Sequence, residues 1–407
     1  MNLDLRNYLT VTGGYWAFTL TDGAIRMLVV LYFHQLGYTA LSIAMLFLFY
    51  ELFGVITNLV GGYLAARLGL NVTMHIGMGM QVIALGMLTV PPEMLTVVYV
   101  MAAQALSGIA KDLNKMSAKA SVKTLVPANA DDRLFKWVAI LTGSKNALKG
   151  VGFFLGALLL ELLGFRGALF ALAGGLLVVL IITWWILPNE LGTAKAKPKF
   201  TQVFSNSPAV NWLSAARFFL FGARDVWFVV ALPVFLHSVL GWSFTQVGGF
   251  MALWVIGYGI VQAAAPALLR TKDTAPKGKA ARLWALILLI IPTAMAIALM
   301  QGLNAQWVVL IGLMLFGVVF AINSALHSYL ILAYADGDKV SMNVGFYYMA
   351  NAGGRLAGTV LSGLGYQVLG LQGCLWISAG FVAAAWVLSF LLPDDEHAPT
   401  SATTQIN

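Results

Sequence analysis

Long apolar runs alternate with short punctuation along almost the whole chain. The breakers are Gly37, Pro91 and Pro92, Pro127, Gly164, Pro188, Pro208, Gly241, Pro276, Leu303 and Asn304, Gly337, Gly370 and Pro393, and they separate twelve segments. These fall near residues 7–36, 39–67, 72–90, 94–125, 132–163, 166–187, 209–239, 243–270, 281–302, 306–335, 339–369 and 371–392. Helices rising 1.5 Å per residue cross a hydrocarbon core of about 30 Å with about 20 residues, so each segment can span a bilayer. The pattern predicts an all-α polytopic membrane protein with an N-terminal six-helix bundle over 1–188 and a C-terminal one over 209–393. A cytoplasmic linker over 189–208, bearing Lys195, Lys197 and Lys199, separates them, and 394–407 reads as a disordered cytoplasmic tail.

Composition agrees with lipid as the main solvent. Hydrophobic residues make up 60% of the 407 and charged residues 10%, against about 25% charged in a soluble domain. The single Cys374 rules out an internal disulfide or thiolate cluster, and the five histidines are scattered. Neither a metal nor another cofactor is expected. The first ten residues are too short and polar for a cleavable leader, so the first segment is expected to be its own targeting signal.

Basic residues fall on alternate loops: Arg6; Arg67; Lys119, Lys123, Arg133 and Lys136; the linker; Arg270, Lys272, Lys277, Lys279 and Arg282; and Lys339. The other loops hold only Arg166. Because basic loops resist translocation, both termini are expected in the cytoplasm of a multi-pass inner-membrane protein. Lipid and a small anion are the expected partners; nucleic acid is not, and a monomer is expected.

The halves echo each other. Asp22 precedes His34 by twelve residues, as Asp225 precedes His237. Gly108 and Asn114 match Gly317 and Asn323, while Lys149, Gly152 and Gly167 match Arg355, Gly358 and Gly373. Three matches in order, at offsets of 203, 209 and 206 residues, point to a duplicated six-helix unit. Such parallel repeats resemble the major facilitator superfamily, which implies substrate binding near the midplane between halves that rock about it. The stretch from Gly62 to Gly69, with Arg67 inside it, resembles that superfamily's conformational loop between its second and third helices. Its acid is replaced by Ala66 and its trailing basic pair by Leu70 and Asn71, which leaves Arg67 to meet helix ends or lipid phosphate.

Charges inside the spans carry the chemistry. Eight are basic, Arg26, Lys111, Lys115, Lys145, Lys149, Arg217, Arg224 and Arg355, and four acidic, Asp22, Glu51, Asp112 and Asp225. Each costs about 2.5–3.5 kcal/mol at a helix centre, so they should pair or face a wet cavity. Lys111 lies 18 residues past Glu93 and 16 before Pro127, and Lys149 18 past Asp131 and 15 before Gly164, roughly 22 Å of helix or more. Lys111 and Lys115 share one helix face, as do Lys145 and Lys149. Like charges so placed are hard to keep protonated unless an anion lies among them or a lysine pKa falls. Lys119, Lys123 and Lys136 read instead as headgroup contacts, and Arg217, nine residues from Pro208, as a snorkelling structural residue.

The expected anion site is therefore Arg26, Lys111, Lys115, Lys145 and Lys149, completed from the second half by Arg355 at the repeat position of Lys149. Asp22, Glu51 and Asp225 are the candidates for proton coupling or ion pairing. Asp22 and Arg26, four apart, suggest an internal pair, whereas Glu51 has no basic residue within two turns of its helix and is the preferred proton site. His34 and His237 lie at outer helix ends; Tyr15, Trp16, Trp227, Tyr347 and Tyr348 are candidate cavity aromatics. Gly152 with Gly156 and Gly354 with Gly358 read as close helix contacts. No Walker spacing, nucleophile constellation or metal set argues for ATP use or for an enzyme.

Three blocks resemble the ArsJ family of arsenical efflux permeases: Tyr15 to Arg26 (YWAFTLTDGAIR), Gly108 to Lys119 (GIAKDLNKMSAK) and Leu141 to Gly150 (LTGSKNALKG). The resemblance implies arsenate resistance by export of 1-arseno-3-phosphoglycerate, an acyl arsenate made by a partner glyceraldehyde-3-phosphate dehydrogenase. On the residues alone, an organophosphate/phosphate exchanger and a membrane receptor for a small anion remain open. A cation-drug antiporter fits less well, since buried bases outnumber acids eight to four.

Overall fold

The computed structural model describes residues 3–68, 70–125, 131–187, 207–269, 278–334 and 340–393. Helices account for nearly all of them, with no strand among the described residues. In chain order, α1 is Leu3–Gln35; α2 is Ala40–Leu46 continued by Leu48–Leu68; α3 is Leu70–Met87 and α4 is Val97–Leu125. α5 (131–163) and α6 (165–186) are the arms of one helical run broken at Gly164. α7 is Pro208–Phe228 continued by Ala231–Ser238, α8 is Phe244–Leu269, α9 is Gly278–Met300 and α10 is Ala305–Tyr334. α11 (340–369) and α12 (371–389) are again two arms, broken at Gly370. Eight stretches are long and apolar enough to cross a membrane; two, of 43 and 44 residues, contain those breaks and cross twice, and α3 and α4 complete twelve. The linker from 188 to 206, the tail from 394 and Gly69 lie outside the described residues, as do the surroundings of Gly62 and the side chain of Arg67.

Contacts prove the reversals. α5 runs beside α1 in the same direction: Trp16 Nε1 donates to Ser144 Oγ at 2.9 Å, Gly152 backs on Gly23, and Phe165, just past the break, stacks on Tyr32 at 3.9 Å. Leu176 and Leu187 of the return arm then pack with Tyr8, Val11 and Tyr15 at the start of α1. Gly164 has φ 67° and Gly370 φ 65°, a left-handed geometry that glycine alone adopts without strain. They are repeat mates at the 206-residue offset.

Small residues set the helix packing, as expected where lipid offers no competing hydrophobic drive. A Cβ on Gly152 or Gly156 would collide with the α1 backbone, and one on Gly354 or Gly358 with that of α7. The repeat extends to polar detail. Asn114 Nδ2 donates to the carbonyl of Ala110 at 2.9 Å, and its mate Asn323 Nδ2 to that of Val319 at 3.0 Å.

The sequence pattern did not resolve the interruption in α7. Pro233 cannot donate and crowds the carbonyl four residues earlier, which breaks the helix near Val230 (φ −122°). Ser362 Oγ of α11 accepts both freed amides, from Val230 at 3.2 Å and Ala231 at 3.1 Å.

The halves meet along α2 against α11 and α5 against α8. At the end remote from Leu3 and Pro393 they close: His34 Nε2 lies 2.5 Å from Ser238 Oγ, the amide of Leu41 donates to Gln367 Oε1 at 3.2 Å, and that of Thr245 to Glu161 Oε2 at 3.1 Å.

Candidate functional site

Between the halves lies a cavity of about 240 Å³. Its wall includes all six sequence-derived anion residues, Arg26, Lys111, Lys115, Lys145, Lys149 and Arg355, together with Arg217 and Arg224. Asp22 and Asp112 are on the same wall, and the carboxylates of Glu51 and Asp225 sit behind it in ion pairs with wall residues. Among the described residues, eight basic side chains against four carboxylates leave a formal excess of four positive charges.

Three carboxylate clusters organise these charges. Glu51 of α2 is 1% exposed, and its Oε1 accepts from Arg26 Nη2 at 2.6 Å and from Arg355 Nη2 at 2.7 Å. Arg355 Nε reaches on to Asp225 Oδ2 of α7 at 3.2 Å, while Arg224 Nε donates to Asp225 Oδ1 at 2.6 Å. This chain joins the two halves, since Glu51 belongs to the first and Arg355 to the second. In the second cluster Tyr50 Oη donates to Asp22 Oδ1 at 2.6 Å, and Lys149 Nζ stands 3.7 Å from Oδ2. In the third, Lys115 Nζ is 2.7 Å from Asp112 Oδ1, Thr57 Oγ1 donates to Oδ2 at 2.9 Å, and Lys111 Nζ is 3.9 Å away. Lys115 Nζ also donates to Asn58 Oδ1 at 2.6 Å, and Lys111 Nζ lies 4.2 Å above the Tyr50 ring.

Several pairings differ from the sequence expectation. Asp22 pairs with Lys149 across α1 and α5, and the ion pairs of Arg26 go to Glu51. Glu51 is isolated only along its own helix; folding brings two guanidiniums onto one oxygen. Arg224 and Asp225, which as neighbours on one helix are expected to point apart, meet. Arg217 does not snorkel outward: it is 4% exposed, with Nε donating to Asn351 Oδ1 at 3.0 Å and Nη1 to the Ser324 carbonyl at 3.1 Å. Tyr15 and Tyr348 line the cavity, Trp227 and Tyr347 are core, and Trp16 is partly exposed. His34 and His237 come together at the closed end with ring centroids 5.9 Å apart.

Sequence reasoning missed Tyr50, Thr57, Asn58, Gln262, Ser324 and Asn351. Two of these carried a signal: the offsets of 209 and 206 residues map Lys115 onto Ser324 and Lys145 onto Asn351. A neutral chain links the halves here, from Asn146 Nδ2 to Gln262 Oε1 at 3.2 Å and from Gln262 Nε2 to Ser324 Oγ at 3.2 Å.

Two six-helix repeats closed at one end around a charged central cavity define a secondary transporter. The sequence matches the family described as Major Facilitator Superfamily over residues 11–340, and the chain belongs to that superfamily. Among curated proteins none matches it in sequence. Its fold is similar to that of a point mutant of the nucleoside transporter NupG, with a TM-score of 0.70, 15% identity and coverage of 96% of this chain and 98% of that one. It is similar too to a structure described under substrate recognition in proton dependent oligopeptide transporters, with a TM-score of 0.72, 16% identity and coverage of 95% and 97%. At such identities the likeness carries the fold alone.

Proposed function

We propose that this transporter carries a small polyanion, and that the polyanion is an organoarsenical of the 1-arseno-3-phosphoglycerate type, exported from the cytoplasm to confer arsenate resistance. The observation that carries the anion reading is the excess of four positive charges on one cavity wall between the halves. A phosphate monoester brings about −1.5 to −2 at neutral pH, and a second oxyanion adds more. Arginine can grip either oxyanion with two parallel N–H bonds, while lysines act as movable point charges. The arsenical identity rests on the three ArsJ-like blocks, of whose basic residues Arg26, Lys111, Lys115, Lys145 and Lys149 line the cavity.

Export follows electrically in an inner membrane with cytoplasmic termini, because each outgoing negative charge gains about 2.3 kcal/mol per 100 mV. The closed end, remote from the termini, then faces outward, and the cavity is poised to load from the cytoplasm. A functional link to a glyceraldehyde-3-phosphate dehydrogenase supplies the acyl arsenate, and a monomer suffices because both halves of the site lie in one chain. Purified protein in liposomes should transport the acyl arsenate in preference to sugar phosphates. Exchange of internal for external inorganic phosphate at a matching rate would favour the organophosphate/phosphate exchanger instead. Saturable anion binding with no flux would leave a receptor.

A further inference from the structure

Arg217 is buried, yet it forms no ion pair with a carboxylate among the described residues. Arg26, Lys111, Lys115, Lys149, Arg224 and Arg355 each have one. Its guanidinium lies 3.8 Å from the Phe221 ring centroid and 5.0 Å from that of Tyr347, and two of its five N–H groups reach Asn351 and Ser324. Ring faces and neutral acceptors offset only part of the cost of holding such a charge away from water. The remaining donors belong to a side chain on the cavity wall.

Its anchors fix where that charge sits. Ser324 and Asn351 are the repeat mates of Lys115 and Lys145, and Nη1 meets the main-chain carbonyl of the first while Nε meets the side chain of the second, so Arg217 lies against the second-half counterparts of the positions that carry those lysines. The duplicated unit thus presents positive charge on both sides of its pseudo-twofold axis, from α4 and α5 on one side and from α7 on the other. The sides are close: Lys115 Nζ is 5.9 Å from the Tyr348 ring, three residues before Asn351.

We infer that Arg217 forms a second oxyanion subsite facing Lys115 and Lys145, and that the substrate class is a molecule with an oxyanion at each of two ends, held across the pseudo-twofold. This rests on the polyanion reading of the cavity. A single-headed anion fills one subsite and leaves Arg217 uncompensated; a two-headed one neutralises both. The fork of Arg217, held at Nε by Asn351, has its orientation preset for such a group.

The test is equilibrium binding to the purified full chain, with inorganic phosphate as the single-headed probe and 3-phosphoglycerate as the two-headed one. In R217Q the preference for 3-phosphoglycerate over phosphate should fall about tenfold or more, the loss expected for a charge-assisted bidentate contact. R217K keeps the charge without the fork and should lose that preference by at least about threefold, which decides the matter if R217Q does not fold. K149Q should weaken both probes together. An unchanged preference in R217Q and R217K overturns the subsite while leaving an anion transporter intact. Wild-type protein that binds neither probe overturns both readings.

Discussion

Replacing Glu51 with Gln tests the strongest link between the halves. The carboxylate oxygen Oε1 receives Arg26 of its own half at 2.6 Å and Arg355 of the other at 2.7 Å, and the group is 1% exposed. Gln keeps the shape and one acceptor but removes the charge. Gln still accepts from a charged guanidinium, so what is lost is the attraction between two full charges; within the range of about 1.5–3 kcal/mol for bonds to charged groups, the α2 to α11 link should weaken by about 1–2 kcal/mol. That shifts the ratio of shut to parted forms of the closed end by roughly five- to thirtyfold towards parted. Arg26 also loses its carboxylate, and an orphaned buried charge adds up to about 3–5 kcal/mol of general destabilisation. The two effects separate by assay. Spin labels on L36C and V239C, both at exposed tips of the closed end, report the gap directly in a C374S background. The expected outcome is a growing long-distance population together with a transport pH profile that differs from wild type. Unchanged distances and an unchanged profile would refute both the clamp and any part for Glu51 in coupling.

Lys149→Gln and Lys111→Gln should each cut uptake into everted vesicles by roughly ten- to a hundredfold, the equivalent of one charge-assisted contact, with protein still in the membrane; undiminished uptake sinks the anion site. Ser362→Ala removes the side-chain acceptor for two buried amides at the α7 break and should cost about 1–3 kcal/mol per orphaned group, read as a lower Tm in detergent. Gly354→Val drives a side chain into the Phe218 carbonyl, and its overpacking should cost about 1–3 kcal/mol or more by the same assay. Cross-linking H34C to S238C in a C374S background should arrest transport until reductant is added, because the pair sits where the halves must part.

Much of the fold was legible because its signals are one-dimensional. Apolar runs and breakers locate the crossings to within a few residues, and glycines 164 and 370 mark the two reversals. Six of the eight cavity cations were legible for a thermodynamic reason: a charge deep in a span must have a use, and depth can be counted along the chain. Their partners were not. Glu51 looked solitary because helical periodicity shows neighbours on one helix only, whereas Arg26 and Arg355 come from α1 and α11. Arg217 was misplaced because nearness to a helix start does not tell outward from inward. The neutral wall of Asn58, Gln262, Ser324 and Asn351 carries no cost that flags it, although carrying the repeat offset through Lys115 and Lys145 finds the last two.

The lengths of the ion pairs divide the cavity charges into two working groups. Arg26, Arg355 and Lys115 hold their carboxylates at 2.6–2.7 Å, within full hydrogen-bond contact. Lys149 and Lys111 stand 3.7 and 3.9 Å from theirs, close enough for Coulomb attraction but too far for a good hydrogen bond. Their carboxylates do not depend on them, for Asp22 is also served by Tyr50, and Asp112 by Thr57 and Lys115. An entering oxyanion can therefore recruit Lys149 and Lys111 without stripping a buried acid of its hydrogen bonds. It would have to break such bonds to recruit Arg26 or Arg355. The loose lysines are thus suited to binding and release, and the tight arginines to holding the halves in register. On this division the link between the halves runs through Arg355, whose Nη2 is bound to Glu51 and whose Nε is bound to Asp225. An anion held by the loose lysines alone leaves that link intact.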